Sequence, residues 1–340
     1  MPGTVKSELL ADADRSLNCG GQEKVCLTLY LFLDKGHFIT EAGVFSPIED
    51  KTIMLADYHV HSEFSDDSRV PMEEQIEQAL GLGLDEICFT DHVDYGIKKD
   101  WEEGSIGWRG GDGMSYDASK MDPLANVNYQ EYFGKLLRMR ETYRGRIRIR
   151  QGLEFGIQTE TIPQYERLWE RYGEQLDFVL LSMHQVDNKE FWDQEFQKDK
   201  TPKEYNEAYY REILEVIRRF RHYSVLAHLD LIVRYDKYGP YPFREVRDLV
   251  AEILETAIAD GKGIEINTSS WHYGLSDTQP SGQILRLYKD LGGRIITIGS
   301  DAHTTRYLAD HIYEAQKILR ETGFTEICTF ERMKPVFHRL

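Results

Sequence analysis

The sequence predicts an α/β fold in which strands and helices alternate along the chain and close into a barrel. From Thr52 onward, seven apolar strand-like runs alternate with seven amphipathic helical patterns. Histidine or carboxylate residues follow most of these runs directly. An open doubly wound sheet would instead gather its polar residues at one switch point. A ring of parallel strands, whose C-terminal ends meet at one mouth, therefore explains the pattern better than an open sheet.

The predicted strands are short apolar runs, typical of strands buried on both faces of a parallel sheet. They end near Tyr58, Thr90, Leu153, Ser182, Ala227, Asn267 and Gly299. A shorter run at 327–330 could add a final piece.

The predicted helices show the apolar spacing of a face that packs on a sheet. They span 71–82, 128–143, 163–174, 202–220, 243–260, 281–291 and 307–321. Proline in the first turn or a polar cap begins several of them, and Gly261, Gly292 and Gly323 follow the ends of three.

Pairs of residues with metal-ligand spacing follow the first and the seventh strand. His59 and His61 end the first strand, and Asp301 and His303 come directly after the seventh. Alternate residues of a strand share one face, so each pair can point at one ion. One such pair alone could equally be ordinary polar residues at a strand end.

Six of the eleven histidines occupy this same position beside an apolar run, which decides between the two interpretations. The remaining three are His92, His184 and His228. Glu154 closes the run at 147–153 and adds a carboxylate. Residues at the same end of successive parallel strands converge in space. The convergence favours a metal centre over six separately buried histidines.

The charge of the chain argues against polyanionic partners. Lysine and arginine total 41 against 58 acidic residues, a formal net charge of -17. Long-range electrostatics would repel nucleic acid and anionic membrane, although a local basic pocket is compatible with this balance. No Gly-x-Gly-x-x-Gly segment follows a strand and no Walker-type loop is present, so a nucleotide cofactor is not indicated.

The cysteines and the N-terminal region favour a cytoplasmic location. The four cysteines, Cys19, Cys26, Cys88 and Cys328, show no Cys-x-x-Cys spacing and imply no disulfide framework. The apolar stretch at 25–33 is too short to span a bilayer and makes a poor signal peptide. We predict an N-terminal extension at 1–50, to which we assign no role, and a barrel domain at 51–340. Nothing in the sequence specifies an oligomeric state.

Taken together, the motifs resemble the PHP family of metal-dependent phosphoesterases, and within it the histidinol-phosphatase branch. The matching segments are 57–62, 65–68, 90–92, 152–154, 182–184, 228–230 and 300–303. In order they read Asp-Tyr-His-Val-His-Ser, Ser-Asp-Asp-Ser, Thr-Asp-His, Gly-Leu-Glu, Ser-Met-His, His-Leu-Asp and Ser-Asp-Ala-His. The match covers about residues 54–335 with no motif missing.

The resemblance implies a distorted seven-unit barrel with three divalent transition-metal ions at the C-terminal mouth of the strands. The implied ligands form three groups, two of which share Glu154. They are His59, His61, Glu154 and Asp301 for the first ion, Glu154, His184 and His228 for the second, and Asp67, His92 and His303 for the third. Asp66 is an alternative to Asp67, because relatives differ by one residue in this spacing. Zn, Fe and Mn all suit such mixed ligands.

The implied reaction is hydrolysis of a small phosphomonoester, with L-histidinol phosphate of histidine biosynthesis as the expected substrate. Phosphate monoester hydrolysis in water is so slow that enzymes lower its barrier by up to roughly 28 kcal/mol, the ~10²¹-fold limit. One histidine base, worth about 10²–10⁴-fold, supplies too little of this. A metal cluster can supply more, and no serine or cysteine nucleophile motif competes.

Glu154 and Arg234 are the expected catalytic residues. Glu154 is the implied bridging ligand, and the resemblance places a phosphate-binding arginine at Arg234, six residues beyond His228. A solvated loop arginine is the alternative. Arg306 and His272 are further candidates for substrate contact. The loop that holds His272 departs from the commoner family pattern of a glycine followed by an arginine, which puts substrate identity in question.

A long segment at 93–126 joins the second strand to its helix over the ligand-bearing end. It is interpreted either as a surface insertion or as a lid. Its acidic residues Glu102, Glu103 and Asp112 could complement the positive charge of a histidinol phosphate substrate.

Three other functions fit parts of the pattern. Another PHP phosphoesterase could use the same metals on a sugar phosphate or a nucleotide. An amidohydrolase-type deaminase or lactonase also begins with His-x-His, but it usually needs a ligand lysine after the fourth strand, where this chain has Ser182-Met183-His184. A catalytically dead binding module would have lost ligands, whereas all nine positions are filled here. The expected partner is a small phosphorylated substrate, with neither nucleic acid nor membrane.

Overall fold

The computed structural model describes residues 39–40, 43–44, 53–104, 106–110 and 121–340. Within the predicted N-terminal extension, Ile39–Thr40 pairs antiparallel with Gly43–Val44, and the remainder of 1–50 lies outside the described residues. The domain division near residue 50 stays a prediction.

Seven parallel strands form the main sheet, and their spatial order is their order in the chain. They are β1 (Ala56–Val60), β2 (Glu86–Phe89), β3 (Arg148–Gly156), β4 (Phe178–Ser182), β5 (Val225–Leu226), β6 (Gly263–Asn267) and β7 (Ile296–Gly299). Apart from the start of β3, their residues are buried, as expected for a parallel sheet that is covered on both faces.

The first and last strands meet at their C-terminal ends and nearly close the ring. The backbone N–H of His61 donates to the carbonyl of Ala302 at 3.0 Å, and the N–H of Ala302 donates to the carbonyl of His59 at 3.3 Å. The barrel is distorted, because β5 has only two residues and the pairing of β1 with β2 shifts register between Asp57 and Val60. The prediction of a distorted seven-unit barrel is confirmed.

One helix follows each strand and buries its apolar face in the common core. The helices are α1 (Met72–Gly81), α2 (Tyr129–Thr142), α3 (Ile162–Tyr172), α4 (Pro202–Arg219), α5 (Phe243–Ala259), α6 (Gly282–Asp290) and α7 (Ile312–Thr322). Six of them nearly coincide with the predicted ranges. The seventh begins later than predicted, because Thr305–Tyr307 forms a separate 3₁₀ turn and His311 takes a left-handed φ of 57°. No helix in these described ranges is both long and apolar enough to cross a membrane.

A β-hairpin packs against the N-terminal end of the barrel. Its strands are β8 (Glu326–Glu331), longer than the predicted piece at 327–330, and β9 (Lys334–Arg339), which was not predicted. The N–H of Met333 in the hairpin turn donates to the carbonyl of Asp177, just before β4, at 2.8 Å. This contact fixes the hairpin to the strand starts and leaves the opposite end of the barrel open.

The segment at 93–126 is partly described. His92–Val93 runs beside β3, and Gly107–Gly110 pairs antiparallel with Met121–Leu124. Residues 111–120, with Asp112, lie outside the described residues, so the lid and the surface insertion both stay predictions. Of the cysteines, Cys88 and Cys328 are buried free thiols, and the other two lie outside the described ranges.

Candidate metal centre

The nine predicted ligands come together at the C-terminal mouth of the barrel. Six of the seven strands contribute them, either from the last residues of the strand or from the loop that follows. They are His59, His61, Asp67, His92, Glu154, His184, His228, Asp301 and His303. Their convergence follows from the topology, since the ends of parallel strands around a closed sheet face one another.

Glu154 lies at the centre of this cluster, and its two carboxylate oxygens face different histidines. Oε2 lies 2.9 Å from Nδ1 of His92, 3.2 Å from Nε2 of His59 and 3.6 Å from Nε2 of His61. Oε1 lies 3.2 Å from Nε2 of His184 and 2.9 Å from Nε2 of His228. One carboxylate is therefore placed to serve two neighbouring positions.

Asp301 completes the group around Oε2 of Glu154. Its Oδ1 lies 3.5 Å from Nε2 of His59 and 3.4 Å from Nε2 of His61. Its Oδ2 accepts a hydrogen bond from Oγ of Ser269 at 3.1 Å and lies 3.6 Å from Nη2 of Arg234. Asp301 thus joins the ligand cluster to the arginine that was predicted to bind phosphate.

The third predicted group lies at the rim. Oδ2 of Asp67 is 3.2 Å from Nε2 of His303 and 3.5 Å from Nε2 of His92, and these two nitrogens are 3.4 Å apart. Asp66 points elsewhere, because its Oδ1 lies 2.5 Å from Nζ of Lys98. The geometry favours Asp67 over Asp66 as the third-group carboxylate.

Four buried atoms at the centre of the cluster have no hydrogen-bond partner. They are Nε2 of His59, Nε2 of His61, Nδ1 of His92 and Oε2 of Glu154. A buried polar atom left without a partner costs about 1–3 kcal/mol, so a cation that accepts these lone pairs would stabilise the fold. Imidazole and carboxylate lone pairs that converge in this way are ligands for Zn, Fe or Mn. The residues present therefore fit divalent transition-metal ions.

The electrostatics of the cluster keep two central ligands in the forms that bind metal. Burial raises the pKa of Glu154, but the neighbouring histidines, His59 first, outweigh burial and hold this pKa well below its ordinary value. Burial and two neighbouring histidines hold the pKa of His61 well below its ordinary value. An ionised carboxylate and a neutral imidazole are the species that coordinate.

Two buried carboxylates that the sequence analysis did not single out orient ligand histidines. Oε1 of Glu265 lies 2.7 Å from Nδ1 of His59, and Oδ1 of Asp94 lies 2.7 Å from Nδ1 of His184. Partners of this kind fix the ring orientation and raise the basicity of metal-binding histidines. Glu265 has a sequence signal, because it stands between two isoleucines in a buried strand. Asp94 has no such local signal, because it lies in a loop, just beyond the short strand His92–Val93.

A cavity of about 170 Å³ leads from the ligands toward solvent, and Arg234 lines it. The Arg234 side chain is only 7% exposed, so it is not a solvated loop residue. Its Nη2 donates to Oγ of Ser269 at 2.6 Å and to Oε1 of Gln279 at 2.8 Å, and its guanidinium lies 4.0 Å from the ring centroid of Tyr273. These contacts hold the arginine in one orientation beside Asp301.

The other two predicted substrate contacts are not among the residues that line this cavity. Arg306 is exposed and lies 5.4 Å from the ring of Tyr307. His272 stacks on the same ring, 4.3 Å between centroids. The neighbouring Tyr273 lines the cavity in their place.

The acidic residues Glu102 and Glu103 do not line the cavity either. Glu102 pairs with Arg171 at 2.9 Å on the surface. The acidic side chains that line the cavity and are not among the nine predicted ligands are those of Asp66, Asp94 and Glu190, and Phe191 and Trp192 follow Glu190 there.

The barrel, its clustered ligands and the adjoining cavity are typical of metal-dependent hydrolases. The chain belongs to the PHP family, since the model of the PHP domain matches residues 57–269. The histidinol-phosphatase of Lactococcus lactis subsp. lactis (strain IL1403) is 31% identical over 284 residues, which cover 82% of this chain and 95% of the relative. The resemblance predicted from the motifs is confirmed.

A solved structure shares the fold at a similar level of identity. The crystal structure of histidinol phosphate phosphatase from Lactococcus lactis subsp. lactis Il1403, complexed with Zn, L-histidinol and phosphate, matches with a TM-score of 0.68 and 30% sequence identity. The match covers 83% of this chain and 99% of that one.

Proposed function

We propose that this protein is a histidinol-phosphatase that hydrolyses L-histidinol phosphate to L-histidinol and phosphate with the help of divalent transition-metal ions. The observation that carries the proposal is the Glu154 carboxylate, which is shared between two ligand groups on the floor of a cavity whose wall holds the buried Arg234. The relative that was crystallised with Zn, L-histidinol and phosphate supports both the proposed class of metal ion and the proposed substrate.

Three ions would be held by the three ligand groups. His59, His61, Glu154 and Asp301 hold the first, Glu154, His184 and His228 the second, and Asp67, His92 and His303 the third. When bound, such ions polarise phosphoryl oxygens, lower the pKa of bound water and neutralise the charge that develops on the leaving oxygen.

The side chains of the cavity bind and orient the phosphate ester. The charged guanidinium of Arg234 can donate to a phosphoryl oxygen, and its anchoring by Ser269 and Gln279 reduces the entropy lost on binding. Among the other residues that line the cavity, Glu190 complements a cationic group of the substrate and Trp192 offers an aromatic surface to its imidazole.

Two alternatives are open to the same test. Another phosphoester, a sugar phosphate or a nucleotide, could be the substrate of an identical metal centre. A catalytically dead module would need no buried arginine beside its ligands, and Arg234 at 3.6 Å from Asp301 weighs against it.

The test compares kcat/KM of the metal-loaded protein for L-histidinol phosphate, several sugar phosphates, nucleoside monophosphates and a generic aryl phosphate. We expect L-histidinol phosphate to be preferred and the gene to restore growth of a histidine auxotroph that lacks this step. Equal or better turnover of another ester, without rescue of growth, would contradict the substrate and leave the metal centre standing. No turnover of any ester would favour the inactive module.

A further inference from the structure

A buried lysine lies beside the ligand cluster and contacts carboxylates from two different loops. The Lys98 side chain is only 7% exposed and lines the cavity. Its Nζ lies 2.5 Å from Oδ1 of Asp66 and 2.7 Å from Oδ2 of Asp94. Burial would lower the pKa of Lys98, but Asp94 and Asp66 outweigh burial and raise its pKa above the ordinary value, so the ammonium is charged.

Each carboxylate that Lys98 contacts is tied to a different metal-binding group. Asp94 uses its second oxygen, Oδ1, to hold Nδ1 of His184 at 2.7 Å. Asp66 directly precedes Asp67, the carboxylate that faces His92 and His303. A continuous chain of contacts, His184 to Asp94 to Lys98 to Asp66, therefore connects the second group with the third.

The end of β3 is shaped to admit this chain. A Cβ atom on Gly156 would overlap Oδ1 of Asp94 and press on Nδ1 of His184. The backbone N–H of Asp94 also donates to Oδ1 of Asn126 at 2.9 Å, which holds the residue from its other side. The Asp94 carboxylate thus has little freedom except toward His184 and Lys98.

We propose that Lys98 is a positioning residue that couples the second and third metal positions, by holding Asp94 against His184 and by turning Asp66 away so that Asp67 alone faces the third position. The inference rests on the metal centre of the proposed function. Without the ammonium, two buried carboxylates would repel each other, and both His184 and the Asp66–Asp67 loop would lose their fixed orientation.

The test measures zinc retention by the full-length protein. Wild type, Lys98→Met, Lys98→Arg and Lys135→Met are dialysed to equilibrium against buffers of graded free Zn²⁺, and bound zinc is counted by elemental analysis. Lys135 is a matched control, because it also contacts two carboxylates, Glu63 and Glu73, but lies outside the cavity.

We expect Lys98→Met to need about 10–100-fold more free Zn²⁺ than wild type to fill the second and third metal positions. This is the usual effect of losing a residue that orients a metal ligand. Lys98→Arg should need a free Zn²⁺ concentration between those of wild type and Lys98→Met, and Lys135→Met should need the same concentration as wild type. The proposal is overturned if the zinc-binding curve of Lys98→Met matches that of wild type or lies at lower free Zn²⁺. It is also overturned if this curve shifts no more than the curve of Lys135→Met.

A milder variant keeps the test decisive if Lys98→Met does not fold. Asp66→Asn removes the charge at one end of the chain with little change of volume, and it should weaken the third position about 10-fold or more. If Asp66→Asn retains zinc as well as wild type does, the proposed coupling of the second and third positions is overturned. Because no substrate is present, a wild-type protein that retains no zinc contradicts the metal centre itself, whereas a failure confined to the variants contradicts only the role of Lys98.

Discussion

The two ends of the barrel both bury charged side chains, but at one end several of their buried atoms have no hydrogen-bond partner in the protein. At the N-terminal end, Glu86 accepts hydrogen bonds from Nε of Arg148 at 2.7 Å and from Nε of Arg150 at 2.9 Å. The neighbouring Asp177 pairs with Arg140 and accepts from the N–H of Arg332 at 3.1 Å. Each buried anion there has a cation and further donors.

At the C-terminal mouth, the buried nitrogens of His59 and His61 and one oxygen of Glu154 have no hydrogen-bond partner. Glu86 has two arginine partners, whereas these atoms at the mouth face only one another. Unsatisfied buried groups are costly, so the mouth has the side chains of a cation site, whereas the N-terminal end has those of a closed cluster of ion pairs.

The largest effect should come from the carboxylate that two metal positions share. Glu154→Gln keeps the shape but removes the charge, so it should weaken both positions, each by about 10–100-fold, and lower kcat/KM by about 10²–10⁴-fold. The two effects are measured as the metal content of the purified variant and as kcat/KM at saturating and at limiting metal. Asp67→Asn makes the same chemical change at a residue that serves one position, and an equal or larger loss in Asp67→Asn would contradict the bridging role.

The next effect concerns the arginine beside the mouth. Arg234→Ala should lower kcat/KM by about 2–4 kcal/mol in transition-state free energy, roughly 30–1,000-fold, with metal content unchanged, because it removes a charge-assisted hydrogen bond to the phosphoryl group. Lysine should restore activity only in part, since it lacks the planar fork. If Arg234→Ala has wild-type kinetics, Arg234 does not bind the phosphoryl group.

A smaller effect, on stability instead of activity, is expected at the N-terminal end. Glu86→Gln leaves Arg150, 14% exposed, without its main anion, and should lower the free energy of unfolding by about 1–3 kcal/mol. Metal content and kcat/KM should not change. Glu331→Gln removes an exposed partner of the same arginine and should change stability by less than about 1 kcal/mol. Loss of metal in Glu86→Gln would show that the two ends are not independent.

The alternation of seven strands and helices could be predicted because each apolar run is local and is punctuated by prolines, caps and glycines. The ligands could be predicted because they sit at the same place relative to these runs. The β9 strand was missed, because its side chains are mostly exposed and its residues carry no continuous apolar signal.

The partners behind the ligands were missed for a different reason. The contacts of Asp94 with His184 and of Lys98 with Asp66 join residues from separate loops, 90 and 32 positions apart, and exist only once the barrel has closed. Arg306 and His272 satisfied a sequence criterion, a polar residue in a loop at the mouth, yet both contact Tyr307 outside the cavity. Loop position predicts which end of the barrel a residue occupies but not the direction of its side chain.

The most direct test of the contrast between the two ends is the metal content of the purified protein, measured by elemental analysis before and after treatment with a chelator. Our expectation is two to three transition-metal ions per chain, loss of phosphatase activity when they are removed, and recovery when Zn²⁺, Fe²⁺ or Mn²⁺ is restored. A protein that contains no transition metal and hydrolyses its substrate equally well in the presence of chelators would contradict it.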